Sequence, residues 1–149
     1  FEIADAAGLS YSFGIANLTS AHPNSVVLEV KGKSGRTLEV QACSLGGGRI
    51  MINRLDGLDV NCTCEIPTLI VHNLDQPGHV AEVTSMLAHK SVNIANMSLY
   101  RDKRGGSAVM VVEMDQPLTK ESLQWLEHLE GIVKVTYINV TEGEEDNVL

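Results

Sequence analysis

The polar run His72-Asn73-Leu74-Asp75-Gln76 leads directly into Pro77-Gly78-His79-Val80. Proline at such a junction predicts the start of a helix, where the first amides have no acceptor inside the helix. The amides of Gly78, His79 and Val80, with the positive end of the helix dipole, attract a carboxylate or phosphate. On the approach loop, Asp75 accepts from an ammonium group, while Asn73 both donates and accepts. An α-amino acid carries one anionic and one cationic group a few ångströms apart, so the pattern predicts a zwitterion as ligand. Asn93, near the start of a later strand, adds a side-chain contact if that strand lies beside the first. The same residues also suit plain capping, the commoner use of Asp and Asn before a helix.

Other chemistries find less support. No His-x-x-x-His or Cys-x-x-Cys pair occurs, so no zinc site is expected. No Gly-x-Ser-x-Gly context supports a serine nucleophile. Cys62 and Cys64 share a face if their segment is extended, with Cys43 on a neighbouring strand. That spacing has no specificity for an iron–sulfur cluster, and small buried thiols are the ordinary role of cysteine in strands. No catalytic residue and no metal ligand are assigned to this chain. His22-Pro23-Asn24 reads first as a strand-entry turn.

Two groups of elements must position these residues. In the first, Val26, Leu28 and Val30 alternate with Val27, Glu29 and Lys31, the period of a strand. Leu38, Val40 and Ala42 repeat the pattern, and a third strand centres on Ile50 and Ile52. Glycine turns at 32–35 and 46–48 join them as an antiparallel meander. Ahead of it a short helix ends at Gly8, and a strand is expected near Tyr11–Asn17. In the second group, a strand at 67–73 precedes a helix from Pro77 to about His89, with Val80, Val83 and Leu87 on the inward stripe. Strands at 91–101 and 107–115 follow, then a helix capped by Thr119 with Leu118 and Leu123 as a staple, and a last strand from Ile132. Strand, helix, strand, strand, helix, strand is the ferredoxin-like order. The fold class is therefore α+β: an antiparallel-sheet part at 1–65, a βαββαβ domain at 66–141, and an acidic, solvated tail at 142–149.

Composition sets the outer bounds. The chain has 149 residues, 44% hydrophobic and 20% charged, in the ordinary range for a globular protein. Its net charge of -8, with scattered Lys and Arg, argues against nucleic acid as partner. No apolar run approaches the roughly 20 residues that cross a bilayer, so no membrane span is expected. Three cysteines at irregular spacing point to a reducing, cytoplasmic setting. A chain beginning at Phe1 rather than Met is expected to be a piece of something longer.

The order of elements in residues 67 to 141, with "NLDQPGHV" at the first strand–helix junction and "SVNIANMSLYR" in the next strand, resembles an ACT domain. Such domains pair through their sheets and bind amino acids at the interface. In the serine-binding ACT domain of D-3-phosphoglycerate dehydrogenase, the corresponding contacts fall by spacing on Asn73, Asp75 and Asn93. With "TSAHPNSVVLEV" and "QACSLGGGRIMINRLDG" ahead of it, nearly the whole sequence resembles the β chain of bacterial iron–sulfur-dependent L-serine dehydratases. The resemblance implies an allosteric-substrate-binding part before the ACT domain, with the early section of that chain missing here. It implies a catalytic α chain or domain that carries a [4Fe–4S] cluster and converts L-serine to pyruvate and ammonia, with no cofactor on this chain. It implies L-serine or a related amino acid as effector and a homodimer through the ACT domains. It also makes His22, Asn24, Gly46, Gly47 and Gly48 a second candidate anion or substrate site, since glycine lets a carboxylate approach the backbone closely. Three other functions stay open: an assembly module that senses nothing, a catalytic or redox domain using the cysteines, and the serine-sensing tail of a D-3-phosphoglycerate dehydrogenase.

Overall fold

In the computed structural model, which describes residues 1–19 and 21–139, glycine turns and alternating strands build two four-stranded sheets. The first is a meander, β1 (Ser25–Lys31), β2 (Thr37–Gly46), β3 (Arg49–Leu55) and β4 (Leu58–Cys62), each strand beside the next in sequence. Asp56 and Gly57 alone join β3 to β4, with φ of 46° and 84°. Both signs are positive, the geometry of the tight hairpin turn that Asp-Gly favours.

The second sheet holds β5 (Thr68–Leu74), β6 (Ile94–Arg101), β7 (Ser107–Met114) and β8 (Ile132–Ile138) in the order β6-β7-β5-β8. Helices α2 (His79–His89) and α3 (Lys120–Glu127) cover one face of it. This is the expected ferredoxin-like arrangement. Leu69, Val71, Met110, Val112 and Val135 meet Val83, Met86, Leu87 and Leu126 from the helices. The opposite face, with Ile70, Val109 and Val111, packs against Ile52, Leu55, Val60, Cys62 and Cys64 of the meander and its exit. β5 is thus covered on both sides, which accounts for its unbroken burial from Thr68 to Asn73. Each fully buried aliphatic side chain there contributes about 1.5–3 kcal/mol.

Local signals account for most of the ends. Thr119 caps α3 by accepting from the Ser122 amide at 3.3 Å. Leu118 is buried and Leu123 packs beside it in the same core.

Three expectations are corrected. The helix after Pro77 begins at His79, with Gly78 as its N-cap at φ 110°. Its inward stripe is His79, Val83, Met86 and Leu87, whereas Val80 is 40% exposed. No strand forms near Tyr11–Asn17. There the rings of Phe1, Tyr11 and Phe13 gather on one another, with centroids 5.2–5.9 Å apart, and no sheet edge pairs with the segment. The acidic tail lies outside the described residues. A short helix, α1 (Glu2–Ala6), precedes Gly8 as expected.

Candidate functional site

The loop from β5 to α2 is fastened on both flanks. The Leu74 amide donates to Gly131 O and the Asp75 amide to Gly106 O, each at 2.9 Å. Those bonds fix the exit of β5 between the α3–β8 turn and the β6–β7 hairpin. Gly106 has no room for a side chain, since a Cβ there would meet Asp102 Oδ1 at 2.3 Å. Asp102 in turn accepts from the Ser107 amide at 2.9 Å and closes the hairpin.

The helix mouth that results has free donors. No side chain caps α2, and the amides of Gly78, His79 and Val80 donate to no acceptor among the described residues. Beside them is a cleft of about 230 Å³, lined by Asn73, Asp75, His79, Val80, Leu99 and Arg101 among others. Asn73 lies in register with Ala108, on the helix-covered face of the sheet, and is 6% exposed. Its Nδ2 donates to Leu74 O at 2.6 Å, which sets the orientation of the amide. Its Oδ1 is buried without a partner. A buried acceptor in that state costs about 1–3 kcal/mol unless something donates to it.

His79, the second enclosed polar group, has Nδ1 3.3 Å from Glu82 Oε2 and an unpartnered Nε2. Its ring occupies the space that a side chain at Gly131 would take, with Cε1 and Nε2 2.5 Å from where a Cβ would stand. Asp75 is already bound by the protein: Oδ2 accepts from Arg101 Nη1 at 3.1 Å and from the Gly105 amide at 2.8 Å. The Gly105 amide, then Arg101, hold its pKa below the usual carboxylate range despite some desolvation. Both bonds use Oδ2 and leave Oδ1 unengaged. Arg101, the last residue of β6, belongs to the cleft.

Asn93 does not join this group within one chain. Its amide hydrogen-bonds Asp115 Oδ2 at 2.6 Å, and its backbone O accepts from the Asp115 amide. Because β6 and β5 both pair antiparallel to β7, they run parallel to each other, and Asn93 sits where β5 begins. The cleft lies where β5 ends, about 25 Å away along β6 at ~3.3 Å per residue.

His22, Asn24, Gly46, Gly47 and Gly48 do gather at one end of the meander. Asn24 O accepts from the Ser44 amide at 2.9 Å, beside the glycine hairpin, whose φ values are 84°, 63° and 79°. His22 Nδ1 accepts from the Asn24 amide at 3.2 Å, so this histidine is engaged in its own turn. His22, Asn24 and the three glycines are exposed, and the residues lining the 230 Å³ cleft include none of them.

The three thiols do not converge. Ala42, Ile52 and Cys62 align across the meander on the face toward the second sheet, and Cys43, in register with Met51, points the other way. No group of three or more metal-ligating side chains occurs among the described residues.

Sequence reading missed the joint between the sheets. Asp56, on the Asp-Gly turn, accepts from the Glu39 amide at 2.9 Å and from Lys134 Nζ at 2.5 Å. His72 Nε2 stands 3.6 Å from the same carboxylate, and Arg36 donates to Val135 O. Burial works against charge on Asp56, but the bonds from Lys134 and Glu39 outweigh it and lower the pKa. Burial lowers the pKa of His72, with Lys134 and Arg36 adding to the effect and Asp56 opposing it. The Asp-Gly dipeptide signals the turn; nothing local signals Lys134 as a partner of Asp56, 78 positions on, or Val135 and Thr136 as partners of Arg36.

The ACT domain model matches residues 67–127. The probable L-serine dehydratase β chain of Bacillus subtilis is 32% identical over 92% of this chain. The L-serine dehydratase β chain of Peptoniphilus asaccharolyticus is 30% identical over 94%. The chain spans 62% and 64% of the length of these two relatives. A D-3-phosphoglycerate dehydrogenase of Bacillus subtilis is 25% identical over 93% of the chain, and the match takes up 26% of that enzyme. No helix of the described residues is long and apolar enough to cross a membrane. The chain thus matches the ACT domain model over residues 67–127 and is similar, along most of its length, to two L-serine dehydratase β chains.

Proposed function

We propose that this chain is the regulatory part of an L-serine dehydratase, and that it binds L-serine or a related small amino acid in the cleft beside α2. The observation that carries the reading is the unpartnered Asn73 Oδ1 buried beside three unclaimed amides of a helix mouth. A ligand carboxylate on the amides of His79 and Val80 gains the helix dipole. Its ammonium group then reaches Asn73 Oδ1 and the free oxygen of Asp75. Arg101 is paired with Asp75 at 3.1 Å, so this pair rearranges as the ligand enters.

The site is completed by a second copy. β6 is an edge strand, and two such edges paired antiparallel set the start of one strand against the end of the other. Asn93 of the partner subunit then lies beside the cleft. The amino acid sits where it can report to a catalytic α part, which would hold the [4Fe–4S] cluster and carry out the conversion of L-serine to pyruvate and ammonia. To change that activity the ligand must favour one arrangement of the assembly over the other, by roughly 1–3 kcal/mol in typical cases.

Calorimetric titration of the chain with L-serine tests this. Saturable binding is expected, weakened about tenfold, or ~1.4 kcal/mol, in Asn73→Ala and Asp75→Ala. No heat with L-serine, alanine or threonine would leave the chain an assembly module. The match to a D-3-phosphoglycerate dehydrogenase across both sheets favours a second reading, a serine-sensing tail of that enzyme. Co-purification from the native source separates the two by the catalytic chain that comes with it.

A further inference from the structure

Cys62 ends β4, and Cys64 lies in the short connection that leads into β5. Residues two apart in a regular strand are separated by about 6.6 Å along it. Here the two sulfurs are 3.5 Å apart. The approach comes from Cys64, whose φ of 54° is one that side chains other than glycine rarely adopt. Both thiols are enclosed, 3% and 6% exposed, in the core between the sheets. A packing role would be met by two thiols in extended geometry. The left-handed turn serves to bring sulfur to sulfur.

From this juxtaposition we infer that Cys62 and Cys64 are a dithiol modification site, closed to a disulfide by exchange with a low-molecular-weight disulfide such as glutathione disulfide. The two sulfurs are not equivalent. The hydrogen bond from the Cys62 thiol lowers the pKa of Cys64 against the opposing effects of burial and Glu113, whereas that same bond and burial raise Cys62. Cys64, having released its proton to solvent, is therefore the attacking thiolate. It displaces one thiolate from the small disulfide and forms a mixed disulfide. Cys62 then gives its proton to that departing thiolate, attacks the Cys64 sulfur and expels the second thiolate, which takes a proton from water. Two electrons pass from the protein, and two thiol molecules are released per disulfide consumed. The connection between β4 and β5 has few ladder bonds, and its local opening gives the small disulfide access. The ring so formed closes on the joint between the two sheets, away from the amino-acid cleft at the far end of β5.

The test uses the full chain with Cys43→Ser, equilibrated in glutathione buffers of rising oxidised fraction, quenched with acid, alkylated and mapped by mass spectrometry. Cys62 and Cys64 should lose their free thiols together and appear as one cross-linked peptide. Cys62→Ala should hold a stable glutathione adduct on Cys64, and Cys64→Ala should leave Cys62 unmodified. Wild-type mapping alone decides the matter if a variant does not fold. Alkylation of both residues in the most oxidising buffer would overturn the inference. So would adducts on Cys62 in the Cys64→Ala chain, or a cross-link that forms only in enough denaturant to unfold the protein.

Discussion

Gly131→Ala isolates the contact that ties the ligand cleft to the α3–β8 turn. Gly131 has φ 80°, and a Cβ there would stand 2.5 Å from both Cε1 and Nε2 of His79. Carbon contacts are optimal near 3.5–4.0 Å, so the imidazole must retreat by about 1 Å. It has little freedom to do so, being 7% exposed and held 3.3 Å from Glu82. The left-handed backbone costs about 1–2 kcal/mol for a residue with a Cβ. Forcing the ring aside adds about 1–3 kcal/mol, typical of overpacking. Together they give about 2–5 kcal/mol, measured as the loss of unfolding free energy in urea. In Gly78→Ala a Cβ meets nothing within 4 Å, so no steric part is expected there, only the cost of holding a side chain at φ 110° and ψ -40°, outside the left-handed well. In the background His79→Ala the steric part should vanish, leaving a coupling energy of about 1–3 kcal/mol in the double-mutant cycle. A cycle that closes without coupling would show that the ring does not fill this space.

Thr119→Ala removes the N-terminal side-chain cap of α3, and should cost about 1 kcal/mol by the same urea assay. Acid should weaken the joint between the sheets. The folded-state pKa of His72 lies below its ordinary 6.5, so as pH falls the unfolded chain takes up that proton first. This stabilisation is whole above about pH 6.5 and declines as pH drops below it, and Asp56 adds a second loss below its ordinary 3.8. Urea midpoints at about pH 8 and about pH 5 should differ less in His72→Gln than in the wild type; an unchanged difference would remove His72 from the effect.

What sequence could and could not convey follows from the range of each interaction. Thr119 and the glycine turns act within a few residues, and their roles are legible in the order of amino acids. Choosing between His79 and Val80 for the inner face of α2 needs the sheet beneath: the periodicity admits both, and an open strand edge at Leu99 leaves Val80 uncovered, while Gly131 makes room for His79. Asn93 was legible in type but not in place. Its position follows from β7 lying between β5 and β6, a property of the whole sheet rather than of any spacing. Asp75 was read as an open acceptor because Arg101, 26 positions on, has no local link to it.

The meander also bears on how two ACT sheets could meet. Helices cover one face of the second sheet and the meander covers the other, so a partner must approach an edge. At the β8 edge, Arg36 donates to Val135 O and to Thr136 Oγ1, and Lys134 reaches back to Thr37 O at 2.9 Å. Side chains that clamp an edge to another element block the addition of a strand. β6 carries no such clamp on its backbone among the described residues, and it ends beside the cleft with Leu99 57% exposed. The first sheet thereby leaves open the edge whose pairing would deliver Asn93 of the partner subunit to the ligand. If the pairing runs this way, a charge at Leu99, as in Leu99→Asp, should weaken both dimer formation and amino-acid binding. Sedimentation equilibrium and calorimetry on that variant would show the two falling together, and a chain that stayed dimeric while losing its ligand would place the interface elsewhere.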